Sequence, residues 1–105
     1  MNTPPFKVNP TGFVKGQIIA LKARAKQHNL LSTLMQDLLD VGSALEQQPL
    51  TWAQLQIHQT NPDFTECFRF FRYFSIRYLV YENQSVVELL NLEVIPGHPL
   101  TAPTN

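Results

Sequence analysis

Residues 68–94 read FRFFRYFSIRYLVYENQSVVELLNLEV and hold most of the aromatic side chains of the chain. Arg69, Arg72 and Arg77 are interleaved with aromatic and aliphatic residues, and a polar break at 82–85 precedes a second apolar run. Aromatic and β-branched residues favour extended backbone, so the block predicts two or three antiparallel strands. The remaining elements are expected to cover this sheet.

Two helices are predicted before the block. Asn9 can cap the first helix with Pro10 at its first position, and Asn29 suits the left-handed residue that ends it. Ser32 or Thr33 can cap the second helix. Apolar residues recur at helical spacing, at Val14, Ile18, Leu21 and Ala25 in the first helix and at Leu34, Leu38, Val41 and Leu45 in the second. The short connection between the helices predicts an antiparallel hairpin.

The segment between the helices and the block is predicted to hold one further strand. Gly42 is expected to mark close packing of the second helix or its early end, because glycine costs about 1 kcal/mol relative to alanine inside a helix. Residues 51–57 alternate in part between apolar and polar side chains, which predicts a half-buried strand. Residues 58–66 are polar and contain the turn signal Asn61-Pro62-Asp63, so they are predicted to form the longest loop.

The order of these elements predicts an α+β domain over residues 6–95. Residues 6–8 can add a short first strand, and further strands are expected at about 67–73, 76–81 and 86–94. An antiparallel sheet of about four strands would then carry the N-terminal helical hairpin on one face and leave the other face open. Residues 1–5 are expected to be a flexible N-terminus, and residues 96–105 are expected to be an irregular C-terminal tail that lies on the surface or frays.

Size and composition favour one folded domain. A chain of 105 residues can bury one core, and 44% hydrophobic with 15% charged residues is typical of a globular protein. No apolar run reaches the roughly 18–20 residues of a membrane span, and no signal-peptide pattern is present. With a single cysteine, Cys67, a cytoplasmic location without membrane association is expected. Cys67 is expected to be a small core residue rather than a nucleophile.

The formal net charge of zero conceals an asymmetry along the chain. Residues 1–30 carry five basic side chains and no acid, whereas residues 31–68 carry five acids and no Lys or Arg. The basic third can face phosphates or an acidic partner. A solvated helix face is the favoured interpretation, because exposed helix surfaces need charge in any case.

The three arginines of the block can serve either of two roles. Strict alternation from Phe68 places Arg72 and Phe74 on the same face as Phe68, and Arg69 on the other. Arginines beside exposed aromatic rings can bind stacked bases or a partner chain. Alternatively, the arginines lie over aromatic rings or pair across the sheet with glutamates, namely Glu82, Glu88 and Glu93.

Cofactor and metal motifs are absent from the sequence. The sequence has no glycine-rich phosphate loop, no serine or cysteine nucleophile signature and no metal-ligand spacing among its histidines, which are His28, His58 and His98. No cofactor and no metal are therefore expected. His98 is retained as a candidate site residue because it follows the last predicted strand, where it can fold back over the sheet and titrate near neutral pH.

The order of elements and the block FRYFSIRYLVY at 71–81, followed by VVELL at 86–90, resemble the RelE/ParE superfamily of bacterial toxins. The sequence LEQQP at 45–49 is similar to the end of the second helix in that family. The resemblance covers about residues 6–98 and implies a RelE/ParE-like α+β fold. It rests on an aromatic-arginine-aliphatic-tyrosine strand that follows two helices.

The resemblance also implies a toxin that is neutralised by an antitoxin protein whose amphipathic segment wraps the fold. Some members of the family cleave mRNA on the ribosome and others inhibit DNA gyrase. By motif, Arg72 would bind the scissile phosphate, Arg77 would be the arginine of the aromatic-arginine-aliphatic strand, and His98 would act as acid or base. Attack of a 2′-hydroxyl on phosphorus needs such charge stabilisation and proton transfer.

The leading hypothesis is the toxin-like component of a bacterial toxin–antitoxin pair. Such a protein would inhibit growth either as an mRNA endoribonuclease or by binding a protein target. A neutral chain with three arginines in the block offers few cation–phosphate contacts, which predicts weak nucleic-acid affinity. The alternative is a catalytically inactive interaction module that forms a homodimer or binds a partner through the open sheet face.

Overall fold

The computed structural model describes residues 5–101, which form a five-stranded sheet with helices packed on one face. The predicted N-terminus at 1–5, except for Pro5, and the end of the predicted tail at 102–105 lie outside the described residues. A short 3-10 helix, Glu82–Gln84, precedes the last strand. In chain order the other elements are β1 (Lys7–Pro10), α1 (Gly12–Gln27), α2 (Leu31–Gln47), α3 (Pro49–Trp52), β2 (Leu55–Gln59), β3 (Phe64–Phe71), β4 (Phe74–Tyr81) and β5 (Val86–Val94).

The sheet is mixed, with the strand order β1-β5-β4-β3-β2. Strands β2 to β5 pair with antiparallel neighbours, whereas β1 runs parallel to β5. The α+β class is confirmed, and the prediction of about four antiparallel strands is corrected to five strands in a mixed sheet. The helices carry the chain from one edge of the sheet to the other. The antiparallel steps through β3 and β4 then return β5 to a place beside β1, in the same direction.

The predicted apolar stripes of the two long helices are confirmed, although their N-terminal caps are not. Stripe residues are buried or half-buried in both helices. The Thr11 side chain caps α1 by accepting a hydrogen bond from the Val14 amide at 3.3 Å. Asn9 and Pro10 remain in β1. No side chain caps α2, because its first residue is Leu31 and the predicted caps lie within its first turn. Asn29 has a φ of 56°, the left-handed conformation predicted for it.

Gly42 has no packing role among the described residues. A Cβ atom at this position would meet nothing within 4 Å, and α2 continues to Gln47. Both parts of the prediction for Gly42, close packing and an early helix end, are therefore wrong.

The predictions for residues 51–66 are correct only in part: β2 supplies the further strand and the turn falls at Asn61-Pro62-Asp63, but the bounds and half-buried character of the strand and the length of the loop are wrong. Pro49–Trp52 is a short helix, β2 begins at Leu55, and β3 begins at Phe64, which leaves only a short turn between the two strands. Tertiary packing overrides the local alternation, because the Trp52 ring lies against Phe71 and Tyr78 with centroid distances of 5.4 and 6.2 Å. Trp52 therefore belongs to the helical side of the sheet rather than to a strand.

The hairpin between β3 and β4 decides which face each aromatic residue takes. Phe71 pairs with Phe74, and paired residues share a face. The residues that face the helices are therefore odd-numbered in β3 and even-numbered in β4. A bulge between Arg77 and Tyr78 shifts the register against β5. The buried residues of the three central strands are Thr65, Cys67, Phe74, Ile76, Tyr78, Val80, Val87, Leu89, Leu92 and Val94.

Residues 96–101 of the predicted tail contain no helix or strand, and part of this segment belongs to the core. Leu100 is only 1% exposed and packs in the same cluster as the sheet residues. The Arg24 Nε atom donates to the Leu100 carbonyl at 2.8 Å, and the Thr101 hydroxyl donates to the Ile95 carbonyl at 2.7 Å. The prediction that this segment stays on the surface or frays is therefore wrong for Leu100.

None of the helices in the described part of the chain is long and apolar enough to cross a membrane.

Candidate functional site

Arg72 lies in the turn between β3 and β4 and binds helix α2. Its φ of 57° places the residue in the left-handed region. Arg72 donates from Nη1 to the Asp37 carboxylate, and Nη1 lies 2.9 Å from Asp40 Oδ2. The hydrogen bond to Asp37 raises the pKa of the Arg72 guanidinium above its ordinary value. The turn is thus held to α2 by a cation between two carboxylates. Strict alternation predicted Arg72 on the face of Phe68, and this prediction is wrong because Arg72 lies in the turn.

Tyr73 and His98 extend this cluster. The Tyr73 hydroxyl donates to Asp37 Oδ2, and burial, followed by this hydrogen bond, raises the pKa of Tyr73. The His98 ring stacks on the Tyr73 ring with a centroid distance of 4.1 Å and an angle of 16°. His98 Nδ1 accepts a hydrogen bond from the Leu100 amide at 3.1 Å, so Nε2 carries the proton of the neutral ring. We call Asp37, Asp40, Arg72, Tyr73 and His98 the turn cluster.

Arg77 lies on the other face of the sheet. Its Nε atom donates to Glu66 Oε2 on β3 at 2.6 Å. The structure therefore brings Arg72 and His98 to the same end of the β3–β4 hairpin, and places Arg77 on the face opposite the helices. The three residues expected to surround one phosphate do not converge.

Arg69 has a structural environment on the helical side. Its guanidinium carbon lies 5.2 Å from the Trp52 ring centroid, and its Nη1 atom donates to the Trp52 carbonyl at 3.0 Å. The Arg69 Nε atom is buried without a hydrogen-bond partner in the described residues. The interpretation that arginines lie over aromatic rings is confirmed for Arg69 and also for Arg72, which lies over Phe71. Pairing with Glu82, Glu88 or Glu93 is not observed within residues 5–101.

Sequence reasoning missed the central residue of the turn cluster, Asp37. This acid is 6% exposed although it lies on an otherwise regular helix. Its position, three residues after Leu34 and four before Val41, is on the apolar stripe of α2. A carboxylate on a buried stripe indicates a buried partner, and that signal was present in the sequence.

A second polar cluster lies at the β2–β3 turn. His58 Nδ1 is 3.2 Å from the Thr65 hydroxyl, and His58 Nε2 is 3.0 Å from Asp63 Oδ1. The order hydroxyl, imidazole, carboxylate is that of a nucleophile triad. Thr65 is 5% exposed, however, so its hydroxyl is shielded from a substrate. The cluster is best explained as a support for the turn.

The face of the sheet opposite the helices is uncovered within the described residues and exposes several large apolar side chains among polar ones. Leu55 is 55% exposed, Ile57 is 42% exposed and Phe70 is 67% exposed. The only charged pair in its β2–β4 part joins Arg77 to Glu66. We call this surface the open face, and its residues from β2, β3 and β4 are Leu55, Ile57, Gln59, Phe64, Glu66, Phe68, Phe70, Ser75, Arg77, Leu79 and Tyr81.

A cleft of about 630 Å³ adjoins the open face between α1 and the end of β5. Gln17, Leu21 and Arg24 line it from α1, and residues 92–96 line it from the sheet. Phe70 and Ser75 also line it, so the cleft and the open face share residues. Arg24 makes no ion pair with a carboxylate in residues 5–101.

Cys67 faces the helices and is fully buried, in agreement with the expectation of a core residue. Burial raises the pKa of the thiol from 9.0 to about 11. The fold therefore favours the neutral thiol. This preference for the neutral thiol stabilises the folded state fully below about pH 9. The stabilisation is lost as the pH rises towards 11.

We expect native Cys67 to react with DTNB at pH 8 roughly 100-fold more slowly than the unfolded chain, or slower still. A rise in pKa from 9.0 to about 11 lowers the thiolate fraction by that factor, and burial adds a barrier to access. The release of thionitrobenzoate, with and without 6 M guanidinium chloride as denaturant, measures both rates. Equal rates in the two conditions would contradict the buried position of the thiol.

In residues 5–101 no three His, Cys, Asp or Glu side chains lie close enough together to hold a metal ion. No protein-family model, curated protein sequence or solved structure matches the chain.

Proposed function

We propose that this protein binds another polypeptide across the open face, as the toxin-like component of a toxin–antitoxin pair that inhibits growth through a protein target. The observation that carries the proposal is the exposure of Leu55, Ile57 and Phe70 on one continuous sheet surface. Uncovered apolar patches of this kind mark interaction sites on proteins. The toxin-like part of the proposal is supported by the strand motif at 71–81 and by the order of helices and strands.

The charges of the open face favour a polypeptide over a nucleic acid. Glu66 neutralises Arg77, and the turn cluster neutralises Arg72 with two carboxylates. A phosphate at either guanidinium would meet a carboxylate already bound at 2.6 to 2.9 Å, whose negative charge opposes it. Nucleic-acid affinity depends on the number of free cations that meet phosphates. Of the two modes expected for a toxin-like protein, binding to a protein target is therefore the one we propose.

Induction of the chain in a bacterium tests the proposal directly. We expect induction to stop growth, and Ile57→Asp or Phe70→Asp to restore it. Loss of a central apolar contact weakens protein complexes by about 2 kcal/mol, roughly 30-fold in affinity. Leu39→Asp is the matched control, because Leu39 is 65% exposed on α2 and the substitution makes the same chemical change away from the open face.

Each alternative function predicts a different combination of growth and oligomeric state in these variants. Normal growth with a folded, expressed chain overturns the toxin-like function. Light scattering that shows a dimer dissociated by Phe70→Asp would instead favour the homo-oligomeric interaction module. If His98→Gln restores growth while Ile57→Asp and Phe70→Asp do not, mRNA cleavage becomes the better explanation. Degradation of mRNA after induction would then be measured by primer extension.

A further inference from the structure

Strand β2 is an uncovered edge of the sheet. Within residues 5–101 the strand order ends at β2, which pairs only with β3. All five residues of β2 are exposed, although alternate residues of a strand point to opposite faces. The helices therefore do not cover this strand, and β2 is open on both faces as well as along its outer edge.

The register shows which backbone groups lie along this edge. The Gln54 amide donates to the Phe68 carbonyl at 2.9 Å, and the Phe70 amide donates to Gln54 Oε1 at 2.8 Å. Even-numbered residues of β3 therefore direct their backbone groups to β2, where their paired residues are odd-numbered. It follows that Gln56 and His58 direct their amide and carbonyl groups outward, away from β3.

The edge lacks the features that keep exposed strands from pairing. Natural edge strands are protected by lysines, prolines, inward-pointing charges or bulges. β2 reads LQIHQ, with no Lys, Pro, Asp or Glu, and its pairing with β3 is regular over all five residues. The formal net charge of the chain is zero, so two copies do not repel each other. A regular edge of a neutral protein favours the addition of another strand.

The sequence of this edge is complementary to itself. When two β2 strands run antiparallel about a two-fold axis at Ile57, Gln56 of each copy lies opposite His58 of the other. Each of these pairs then exchanges both of its backbone hydrogen bonds. Ile57 lies opposite its own copy, and no like charges are opposed. An axis at Gln56 would instead require the Gln54 amide, which already donates to Phe68.

We propose that the chain forms a homodimer in which β2 pairs antiparallel with β2 of a second copy, about a two-fold axis at Ile57. Strand addition of this kind gives affinity through backbone hydrogen bonds, and the two-fold axis closes the assembly at two copies. The interface runs along the edge, so it joins two five-stranded sheets into one and leaves both open faces uncovered. The inference goes beyond the proposed function, because a dimer presents two open faces side by side.

Sedimentation velocity of the purified full chain tests the dimer. Pairing of five residues on each strand gives a small interface, so we expect a dissociation constant on the order of 10 μM. The measurement covers concentrations from about 1 to 300 μM, which bracket this value. A chain that stays monomeric over this range would overturn the proposal.

Two double variants test the register. Gln56→Lys with His58→Lys opposes like charges in both cross-strand pairs, and should raise the dissociation constant about tenfold or more. Gln56→Lys with His58→Glu opposes unlike charges there, and should give a dimer at least as tight as that of the unmodified chain. Gln27→Lys with His28→Lys is the matched control, because it makes the same substitutions at exposed positions at the end of α1.

The variants separate the edge from other interfaces. Equal dissociation constants for the two β2 variants, or an equal loss in the α1 control, would overturn the pairing about Ile57. A dimer that dissociates in Phe70→Asp but not in the like-charge variant would place the interface on the open face instead. Thermal unfolding of each variant identifies any loss of folding.

Amide hydrogen exchange tests the same interface without a substitution. In nuclear magnetic resonance spectra of the unmodified chain, the Gln56 and His58 amides should become more protected as the protein concentration rises. The Ile57 amide faces β3 already and should change little. Exchange at Gln56 and His58 that does not depend on concentration would overturn the proposal.

The dimer and the proposed function fail independently. Induction that leaves growth unaffected overturns the proposed function and does not bear on the dimer. A chain that is monomeric but stops growth overturns the dimer alone. Ile57→Asp changes both surfaces, so Phe70→Asp, which lies away from the β2 edge, is the variant that reports on the open face alone.

Discussion

Asp37→Ala is expected to lower the free energy of unfolding by about 3 kcal/mol. The substitution removes the acceptor for the Tyr73 hydroxyl and one of the two carboxylates that hold Arg72. Because Asp37 is 6% exposed, water does not fully replace these partners. The free energy lost therefore includes the cost of leaving the partly buried Tyr73 hydroxyl without an acceptor. Urea denaturation at pH 7, followed by circular dichroism, measures the effect.

Asp40→Ala is the control for this prediction. Asp40 binds the same guanidinium at 2.9 Å, but 35% of its side chain is exposed. Exposed ion pairs contribute little, so we expect a loss of less than about 1 kcal/mol. A double-mutant cycle with Tyr73→Phe should show that most of the Asp37 effect is shared with the Tyr73 hydroxyl. Equal effects of Asp37→Ala and Asp40→Ala would show that burial of Asp37 does not determine the strength of the cluster.

The helices were predictable because their signals are local. Stripes at Val14 and Leu21, and at Leu34 and Val41, arise from the helical period, and burial of one face produces the same period in the structure. The block at 68–94 was predictable as antiparallel strands for the corresponding reason. Its β-branched and aromatic residues fit a pleated surface whatever they pack against.

The faces of the hairpin were not predictable in the same way. Alternation from Phe68 carries Arg72 and Phe74 to the face of Phe68 only if the strand continues without a turn. The structure has a turn at Arg72 and Tyr73. Phe71 pairs with Phe74, so odd-numbered residues of β3 share a face with even-numbered residues of β4. Arginine and tyrosine are not typical residues of a tight hairpin turn, which favours Asn-Gly or Asp-Gly. The turn is instead held from a distance, by Asp37 on α2.

The predicted site residues do not lie together in the structure, for a related reason. The motif places Arg72, Arg77 and His98 in a plausible order, but it contains no information on their partners. Arg72 is bound by an acid 35 positions away in the sequence, and Arg77 by an acid on the neighbouring strand. Such pairs depend on tertiary contacts that no spacing rule describes. The open face itself was predictable, because one helical hairpin covers a sheet on one side only.

Leu100→Ala is expected to lower the free energy of unfolding by about 3 kcal/mol. Prolines and Gly97 led to the prediction of a surface tail, yet Gly97, with a φ of 94°, allows the chain to reverse after β5. Leu100 then enters the core at 1% exposure, and Arg24 holds its carbonyl. Truncation to alanine removes buried apolar area and leaves a cavity beside the sheet. Urea denaturation measures the loss, with Leu55→Ala as the matched control.

Leu55 is 55% exposed, so the same truncation there should cost less than about 0.5 kcal/mol. The difference between the two losses of unfolding free energy measures the effect of burial, because the change of side chain is the same in both variants. Leu100→Ala should also weaken the stacking of His98 on Tyr73, because loss of the buried side chain loosens the segment whose backbone amide at position 100 donates to the His98 ring. The His98 ring resonances in nuclear magnetic resonance spectra should therefore move towards those of the unfolded chain. A Leu100→Ala variant as stable as Leu55→Ala, with unchanged His98 resonances, would contradict a tail that belongs to the core.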